Sequence, residues 1–545
     1  PVWQQWLGIV LFLIATLYPR LATIEQYVTT DEVLWLYRSA NFYYALGQRE
    51  FEETYQKFHP GVMTMWAGMA GYLLEYPEYR GQASGYIKEP AQLAQFLARQ
   101  DRAPLDLLVA GRVFIILQST VLLLTALWLL SLLIPPKSAW WSMMLITLDP
   151  YYIGLSQILH VDALLGGWLF VSSLSMLVYL WRGKQKVFLW LSAVAAGAAI
   201  LTKLTGLFIL LFIGLVILIE WWQNRAGKTN NTKTNITTYF SWLLIAIATF
   251  IILWPAMWVN PIESLTRAFS TSFGFIDLGH AAPLFYGGAI IGSENLPPHY
   301  YLISYLWRST IIGLAGLGLA IISVRFKWGV LNNKIAKKII VRFALFAFFF
   351  GLALTLSAKK ANRYLIPVFY GLMLISGLGW WSTIEKIGEK FSNKLYRTVS
   401  LGIGLILISL QTVNATPYYI GYFNPLLGGA EKATQNLTIG WGEGLDKAGR
   451  YLASKPNASE LNVLAWYGEG PFSYYFPGKT NAIPAIPNFK DSTAKKLAQA
   501  DYLAIYIHQW QRRIPADLLI LLENIPAEHT VKINGLPYVN IYAVA

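Results

Sequence analysis

The stretch Thr29-Thr30-Asp31-Glu32-Val33-Leu34-Trp35 follows the first apolar segment of the chain and carries two adjacent carboxylates. Thr29 and Glu32 have the spacing of a capping box, in which Thr29 caps a helix and Glu32 reaches back to a backbone N–H at its start. Capping does not account for Asp31, which would lie in the first helical turn, where the helix dipole favours an ionised carboxylate. Because an ionised carboxylate can act as a general base, the stretch predicts either a helix start alone or one that also carries chemistry.

The composition is that of a polytopic membrane protein. Of the 545 residues, 55% are hydrophobic and only 13% are charged, whereas soluble domains have about 25% charged residues. The formal net charge of +14 predicts basic cytoplasmic loops rather than nucleic-acid binding, since Lys and Arg collect in such loops. The chain has no cysteine, which excludes disulfides, thiolate metal sites and cysteine nucleophiles. The segment Val2–Tyr18 lacks a small-residue cleavage site and predicts a retained membrane anchor.

Apolar runs long enough to cross a bilayer predict about eleven transmembrane helices. The predicted spans are Trp3–Tyr18, Leu107–Ile134, Ala139–Ile153, Ala163–Trp181, Val187–Leu201, Thr205–Trp222, Tyr239–Trp254, Tyr301–Val324, Ile339–Ser357, Tyr364–Trp381 and Val399–Val413. Residues 1–413 are therefore predicted to form a polytopic all-α membrane domain, with a long first outer loop over residues 20–106.

The tail, residues 414–545, has a different character, with Gly, Pro and Asn between short apolar runs. Its patterns predict strands at Asn462–Trp466, Tyr502–Ile507 and Tyr538–Val544, and helices at Gly444–Ala453 and Thr493–Ala500. The tail is therefore predicted to be a small extracytoplasmic α/β domain.

Lys and Arg mark alternate loops, as expected for loops that face the cytoplasm. The inward loops then carry Lys137, Arg182, Lys184, Lys186, Arg225, Lys228, Lys233, Arg325, Lys327, Lys334, Lys337, Lys338, Arg342, Lys386, Lys390, Lys394 and Arg397. This topology places the remaining notable ionisable residues together on the outer face: Asp31, Glu32, His59, Asp149, His160, Asp162, Lys203, Glu294, His299, Lys359, Lys360 and Arg363. The sequence thus predicts a multi-pass protein of the cell membrane whose site and tail are extracytoplasmic.

Basic residues on the outer face oppose this charge rule and need a local reason. Lys203 interrupts an apolar stretch, and Lys359, Lys360 and Arg363 stand at the outer end of another span. Each cation alone could snorkel to lipid headgroups. As a set they favour a site for an anionic headgroup, in which Arg363 could bind a phosphate through two parallel hydrogen bonds.

Each of three further motifs on the outer face allows a purely structural interpretation and a functional one. His59-Pro60-Gly61 precedes an apolar stretch and is either a solvated turn or a turn aimed at the site. Asp162 opens the fourth span as a helix cap or as a ligand-binding group. His299 and Tyr300 follow Pro297-Pro298 and form either a rigid turn with interfacial tyrosines or part of the site.

Taken together, these motifs resemble the membrane C-type glycosyltransferases, above all the family that includes protein O-mannosyltransferases and the aminoarabinose transferases acting on lipid A. The motifs are Asp31-Glu32, His59-Pro60, the Leu-Thr-Lys turn at Lys203, Leu296-Pro-Pro-His-Tyr-Tyr301 and Lys360-x-x-Arg-Tyr-Leu-x-Pro367. The resemblance covers roughly residues 3–381 and rests on the order and spacing of short motifs.

The resemblance implies the C-type glycosyltransferase fold and an enzyme that takes a sugar from a polyprenyl monophosphate on the outer face. It implies Asp31 as the base and Glu32 as its catalytic neighbour in acceptor or sugar binding. The substrate-binding candidates are His59, Asp162, Lys203, His299, Tyr300, Lys360 and Arg363, of which Lys203, Lys360 and Arg363 would hold the donor phosphate.

Two features depart from the family. His59-Pro60 is followed by Gly61 rather than by the second proline common in the mannosyltransferases, so a mannosyl donor is not assigned. The tail motifs Tyr422-Phe-Asn-Pro425 and Gly440-Trp-Gly-Glu-Gly444 do not resemble the β-trefoil insert of those enzymes.

The sequence therefore predicts an inverting glycosyltransferase with a membrane-lipid donor and a glycan, lipid or protein acceptor. The first outer loop has no Asp-x-Asp pair, which argues against an obligatory metal but leaves a divalent cation open; no other cofactor is predicted. Two alternatives stay open. A secondary transporter would carry its ionisable residues near the bilayer midplane, and a non-catalytic subunit could retain the fold and bind a membrane complex through its tail.

Overall fold

The computed structural model describes residues 2–224, 232–278, 283–391, 394–483, 496–512, 514 and 516–544. The helices of the first part of the chain are α1 (Val2–Leu21), α2 (Thr30–Gln48), α3 (Val62–Glu75), α4 (Tyr79–Gln82), α5 (Pro90–Ala98), α6 (Pro104–Leu133), α7 (Pro136–Thr147), α8 (Pro150–Ser156), α9 (Asp162–Trp181), α10 (Lys186–Thr202), α11 (Phe208–Asn224), α12 (Thr232–Leu253), α13 (Ala256–Val259), α14 (Pro261–Leu278), α15 (Tyr300–Arg308), α16 (Ile311–Phe326), α17 (Lys334–Leu356), α18 (Ile366–Phe391) and α19 (Lys394–Asn414). A short hairpin, β1 (Leu284–Tyr286) and β2 (Ala289–Ile291), precedes α15.

Six of the described helices are long and apolar enough to cross a membrane, and eight candidates result if each of two bent helix pairs counts as one span. The bent pairs are α15 with α16, at 111°, and the end of α19 with Tyr419–Leu427, at 103°. Two of the remaining predicted spans correspond to the shorter apolar helices Trp6–Leu21 and Lys186–Thr202. The third, Ala139–Ile153, is divided because Asp149 ends the run and caps α8 by accepting the Tyr152 N–H at 3.0 Å.

The tail contains a five-stranded mixed sheet, β3 (Asn462–Ala465), β4 (Lys479–Ala482), β5 (Tyr502–Tyr506), β6 (His529–Ile533) and β7 (Leu536–Ala543), in the order β4-β3-β5-β7-β6. Strands β4, β3 and β5 are parallel, and β7 pairs antiparallel with β5 and β6. The tail helices are α20 (Gly429–Ala433), α21 (Leu445–Ala453), α22 (Ile507–Trp510) and α23 (Ala516–Asn524).

The three strands predicted in the tail are observed as β3, β5 and β7, and the helix predicted at Gly444–Ala453 is α21. The predicted helix Thr493–Ala500 lies partly outside the described residues. The membrane helices end with α19 at Asn414, beside the proposed boundary of the two domains, and that division stays a prediction.

The tail packs directly on the start of α2. The Tyr475 hydroxyl donates to the Glu25 carbonyl oxygen at 2.9 Å, and the Trp441 indole N–H donates to the Thr30 hydroxyl at 3.2 Å. Gly442 lies so close to the backbone before α2 that a Cβ there would be 2.1 Å from the Val28 carbonyl oxygen. The segment that leads into α2 and the tail therefore lie against each other.

Candidate active site

Five ionisable side chains from separate elements form a cluster of alternating charge, named here the ion cluster: Asp31, His160, Asp162, Lys203 and Arg363. Asp31 Oδ2 lies 3.0 Å from Arg363 Nη2 and 3.3 Å from His160 Nε2. Asp162 lies behind them, with Oδ2 3.3 Å from Arg363 Nε and Oδ1 2.8 Å from Lys203 Nζ. Asp162 thus holds both cations in place, whereas Asp31 lines the cavities described below.

Each member of the ion cluster stands at the end of a helix or in a break between helices. Asp31 is in the first turn of α2 and Asp162 opens α9. Lys203 follows α10, and Arg363 is in the short 3-10 turn Asn362–Leu365 before α18. Because these helix ends meet at one end of the bundle, side chains 332 residues apart, Asp31 and Arg363, come into contact.

The electrostatic setting keeps Asp31 ionised. Burial raises the pKa of the Asp31 carboxyl, but the charge of Arg363 and the hydrogen bond from His160 outweigh it, so the pKa lies below the ordinary value of 3.8. Burial, together with the charges of Lys203 and Arg38, lowers the pKa of His59 well below 6.5. His59 is therefore neutral at physiological pH.

A cavity of about 650 Å³, called here the first cavity, opens on one side of the ion cluster. Its polar and charged lining residues include Asp31, Arg38, Lys57, His59, His160, Lys203, Lys359 and Arg363. Its apolar lining residues include Leu207, Phe208, Phe350, Leu354 and Leu356. Since Phe208 belongs to α11 and Phe350 to α17, two candidate membrane spans contribute to this apolar lining.

A second cavity of about 440 Å³ lies on the other side of the ion cluster, between the helices and the tail. The helical part contributes Thr30, Tyr151, Tyr300 and Arg308, and the tail contributes Trp441, Glu443, Tyr467, His508 and Arg512. Asp31, Lys359 and Arg363 line both cavities. These three side chains therefore stand where two bound molecules could meet.

Trp441 brings the tail onto the ion cluster. Its ring centre lies 4.4 Å from the Arg363 guanidinium carbon and 5.1 Å from the centre of the His160 ring, which it meets edge to face. Glu443 fixes the loop by accepting the Trp441 N–H at 2.5 Å and the Tyr506 hydroxyl at 3.0 Å. The loop Gly440–Gly444 thus forms part of the wall of the second cavity, through Gly440, Trp441 and Glu443.

The structure brings most of the predicted site residues to the two cavities. Asp31, His59, Lys203 and Arg363 line the first cavity, and Tyr300 lines the second. Asp162 lines neither, because its carboxylate is buried behind Lys203 and Arg363. The roles of these residues stay predictions.

Glu32, predicted as the catalytic neighbour of Asp31, lies outside both cavities. It is fully buried, and its Oε1 and Oε2 accept hydrogen bonds from Arg112 Nε at 2.7 Å and Nη2 at 2.6 Å. The backbone N–H groups of Thr29 and Leu159 also donate to this carboxylate, each at 2.9 Å. Both oxygens of Glu32 thus accept hydrogen bonds from the protein, and the side chain lines neither cavity. Glu32 anchors α2 to α6 through Arg112, whereas the capping box predicts only its bond to the Thr29 N–H.

Lys360 and His299 also lie outside the two cavities, and their predicted roles in substrate binding stay predictions. Lys360 is buried away from both cavities, whereas Lys359 lines both. Residues 359–361 lie outside any helix, so the helical spacing of side chains does not decide which of the two neighbouring lysines reaches the cavities. His299 caps α15 in an exposed position and lines neither cavity.

Some cavity residues were not among the predicted site residues. Arg38 lies seven positions after Asp31 on α2, with Trp35 between them, and all three line the first cavity. The spacing i, i+4, i+7 marks one helix face and was a usable signal. His160 stands two residues before Asp162, whereas the contributions of Trp441, Tyr467, His508 and Arg512 depend on the docking of the tail.

No group of three or more His, Asp or Glu side chains within the described ranges has the arrangement of a metal site. The metal dependence that the sequence leaves open stays open.

Comparisons with known proteins found one matching family model and several similar solved structures. Residues 9–267 match the family model described as dolichyl-phosphate-mannose-protein mannosyltransferase. Apo ArnT from Cupriavidus metallidurans is similar over 100% of this chain and 99% of its own, with 13% identity and a TM-score of 0.53. ArnT from the same organism bound to undecaprenyl phosphate covers 98% of each chain, with 14% identity and a TM-score of 0.49. The S. cerevisiae Pmt1-Pmt2 complex bound to the sugar donor has 16% identity and a TM-score of 0.36, over 52% of this chain and 39% of that one.

No curated protein matches the chain in sequence. The chain has the fold of the membrane C-type glycosyltransferases, and the resemblance predicted from the sequence is confirmed. The matched family and the fold agree with the predicted class, a polyprenyl-phosphate-sugar-dependent glycosyltransferase in a multi-pass membrane protein.

Proposed function

We propose that the chain transfers a sugar from a polyprenyl monophosphate to an acceptor hydroxyl on the extracytoplasmic face, with inversion at the anomeric carbon and Asp31 as the base. One observation carries the proposal. Asp31 and Arg363, 3.0 Å apart, stand between a cavity that opens among apolar helices and a second cavity walled by the tail.

The first cavity has the chemistry of a donor site. A lining that combines cations with apolar side chains from two candidate spans suits a lipid with an anionic head. Arg363, Lys203 and Lys359 would hold the phosphate, and the isoprenoid chain would lie along α11 and α17. Arg363 is suited to phosphate because its planar guanidinium can donate two parallel hydrogen bonds.

The second cavity would hold the acceptor. Its hydroxyl transfers a proton to Asp31 while the oxygen forms a bond to the anomeric carbon, and the bond from that carbon to the phosphate oxygen breaks on the opposite side. The electron pair leaves with the phosphate, whose growing charge is stabilised by the neighbouring cations. A single displacement of this kind inverts the configuration.

Donor binding tests the proposal directly. Arg363→Lys keeps the charge but loses the two-pronged hydrogen bond, so undecaprenyl phosphate should bind about tenfold more weakly. The matched control is Arg325→Lys, an exposed arginine at the end of α16. Native mass spectrometry of the full chain in nanodiscs measures both. Equal affinity of the two variants would contradict the donor site, and wild-type protein without lipid binding would favour the non-catalytic subunit.

A further inference from the structure

Two neighbouring parallel strands of the tail end at the second cavity. β3 and β5 pair in parallel, Tyr467 stands two residues after β3, and His508 stands two residues after β5. The carboxyl ends of adjacent parallel strands form the crevice in which open α/β sheets bind ligands. Both side chains line the cavity, together with Arg512.

In the hydrogen-bonded pair of Tyr467 and His508, one ring nitrogen of His508 has no partner among the described residues. The Tyr467 hydroxyl lies 2.7 Å from His508 Nδ1. Burial and the charge of Arg512 lower the pKa of His508 well below 6.5, so the ring is neutral. With the Tyr467 hydroxyl as donor, the ring proton is on Nε2, which is buried and has no hydrogen-bond partner in the described part of the chain. Such a donor is costly unless a ligand accepts from it.

The backbone at Tyr467 supports a ligand-binding role. Its φ is +52°, in the left-handed region that a non-glycine residue rarely adopts. Strained residues of this kind cluster at ligand sites, where the surrounding structure holds them in place. Here the strain turns the chain immediately after β3 and places the hydroxyl against His508.

Arg512 supplies charge at the same place. It is half-buried, its Nε has no hydrogen-bond partner, and it has no ion-pair partner among the described residues. The two carboxylates of this cavity are already engaged, since Asp31 pairs with Arg363 and Glu443 accepts from the Trp441 N–H and the Tyr506 hydroxyl. The tail side of the cavity therefore presents donors and positive charge.

We propose that Tyr467, His508 and Arg512 form an acceptor subsite that binds an oxyanion, a phosphate or a carboxylate, on a sugar-sized acceptor whose hydroxyl lies at Asp31. The subsite rests on the proposed function, since it names the class of acceptor for the same transfer. The cavity volume of about 440 Å³ is in the range of small-molecule sites.

Three matched probes test the subsite: glucose 6-phosphate, glucuronate and glucose. The full chain in nanodiscs is first saturated with undecaprenyl phosphate, so that the cations of the first cavity are occupied, and probe affinities are measured by saturation-transfer NMR. At least one anionic probe should bind about tenfold more tightly than glucose, because hydrogen bonds to charged groups are the stronger ones. Arg512→Gln should abolish this preference and Arg512→Lys should keep most of it.

Arg450→Gln is the control, because Arg450 is exposed on α21 and lies outside the cavity. Tyr467→Phe removes only the hydroxyl and should also weaken binding of the anionic probe. A preference for glucose 6-phosphate over glucuronate assigns the oxyanion as phosphate, and the reverse assigns it as carboxylate. The subsite is overturned if glucose binds as tightly as both anions, or if Arg512→Gln and Arg450→Gln behave alike. Retained lipid binding in Arg512→Gln would separate that failure from a failure of the donor site.

Discussion

Asp31 is the residue on which the proposed transfer depends. Asp31→Asn keeps the size of the side chain but removes its basicity, so turnover should fall by about two to four orders of magnitude. Donor binding should survive, because Lys203, Lys359 and Arg363 remain. The comparison is Glu53→Gln, an exposed acid of the same outer loop. Sugar transfer by purified protein measures both, and near-normal turnover of Asp31→Asn would remove Asp31 as the base.

The charge of Asp31 also has a pH consequence. Its pKa in the folded protein lies below 3.8 because Arg363 and His160 stabilise the carboxylate. The ionised carboxylate therefore stabilises the folded state at pH values above the pKa that Asp31 has in the unfolded chain. This stabilisation is lost as the pH falls through the lowered pKa of the folded protein. Since His160→Gln removes one of these influences, the pKa of Asp31 should rise and the acid limb of the kcat/KM profile should move to higher pH. An acid limb at the wild-type pH in this variant would show that the limb reports another group.

Glu32 is adjacent to Asp31 in sequence but should respond differently to substitution. Glu32→Ala leaves Arg112 as a buried charge without its partner, which costs about 3–5 kcal/mol. We therefore expect a much larger fall in unfolding temperature for Glu32→Ala than for Asp31→Asn, because Arg363 keeps Asp162 as an ion-pair partner when Asp31 is neutralised. Thermal unfolding in the same detergent compares the two. Equal unfolding temperatures for Glu32→Ala and wild type would contradict the anchoring role.

At the scale of elements, the loop Gly440–Gly444 joins the tail to the ion cluster. Gly442 has φ +124°, and an added Cβ would be 2.1 Å from the Val28 carbonyl oxygen. Gly442→Ala should push Trp441 away from Arg363 and lower turnover while the sheet remains folded. Gly535→Ala is the matched control, because Gly535 also has a positive φ but open space around its Cβ. If both variants lost turnover to the same extent, backbone strain rather than displacement of the loop would explain the loss.

Elements with a strong local pattern were predictable from the sequence, and elements shaped by their neighbours were not. The capping box places the start of α2 correctly, and the apolar runs of β3, β5 and β7 identify these strands. β4 was missed because none of its residues is buried, so it has no alternating pattern. The division of Ala139–Ile153 at Asp149 was missed because a single polar residue in an apolar run does not show where a helix ends.

At the scale of the molecule, the sequence predicts which residues share a membrane face but not which way each side chain points. The sequence predicts both Asp31 and Arg363 as site residues, and Asp31 Oδ2 and Arg363 Nη2 are 3.0 Å apart. Glu32, Lys360 and His299 share that face but point away from the cavities. The direction of each side chain depends on a feature that residue spacing does not encode: the ion pair with Arg112, the non-helical segment before Asn362 and the start of α15.

The orientation in the membrane is the remaining prediction at this scale. The contacts of Tyr475 with Glu25 and of Trp441 with Thr30 require the tail and the first loop to lie on one side, and the positive-inside rule places that side outside. Because the chain has no cysteine, exposed positions can be labelled one at a time. Glu53→Cys and Ser459→Cys should react with an impermeant maleimide in intact cells. Asn332→Cys, between α16 and α17, should react only after permeabilisation, and the reverse pattern would place the site on the cytoplasmic face.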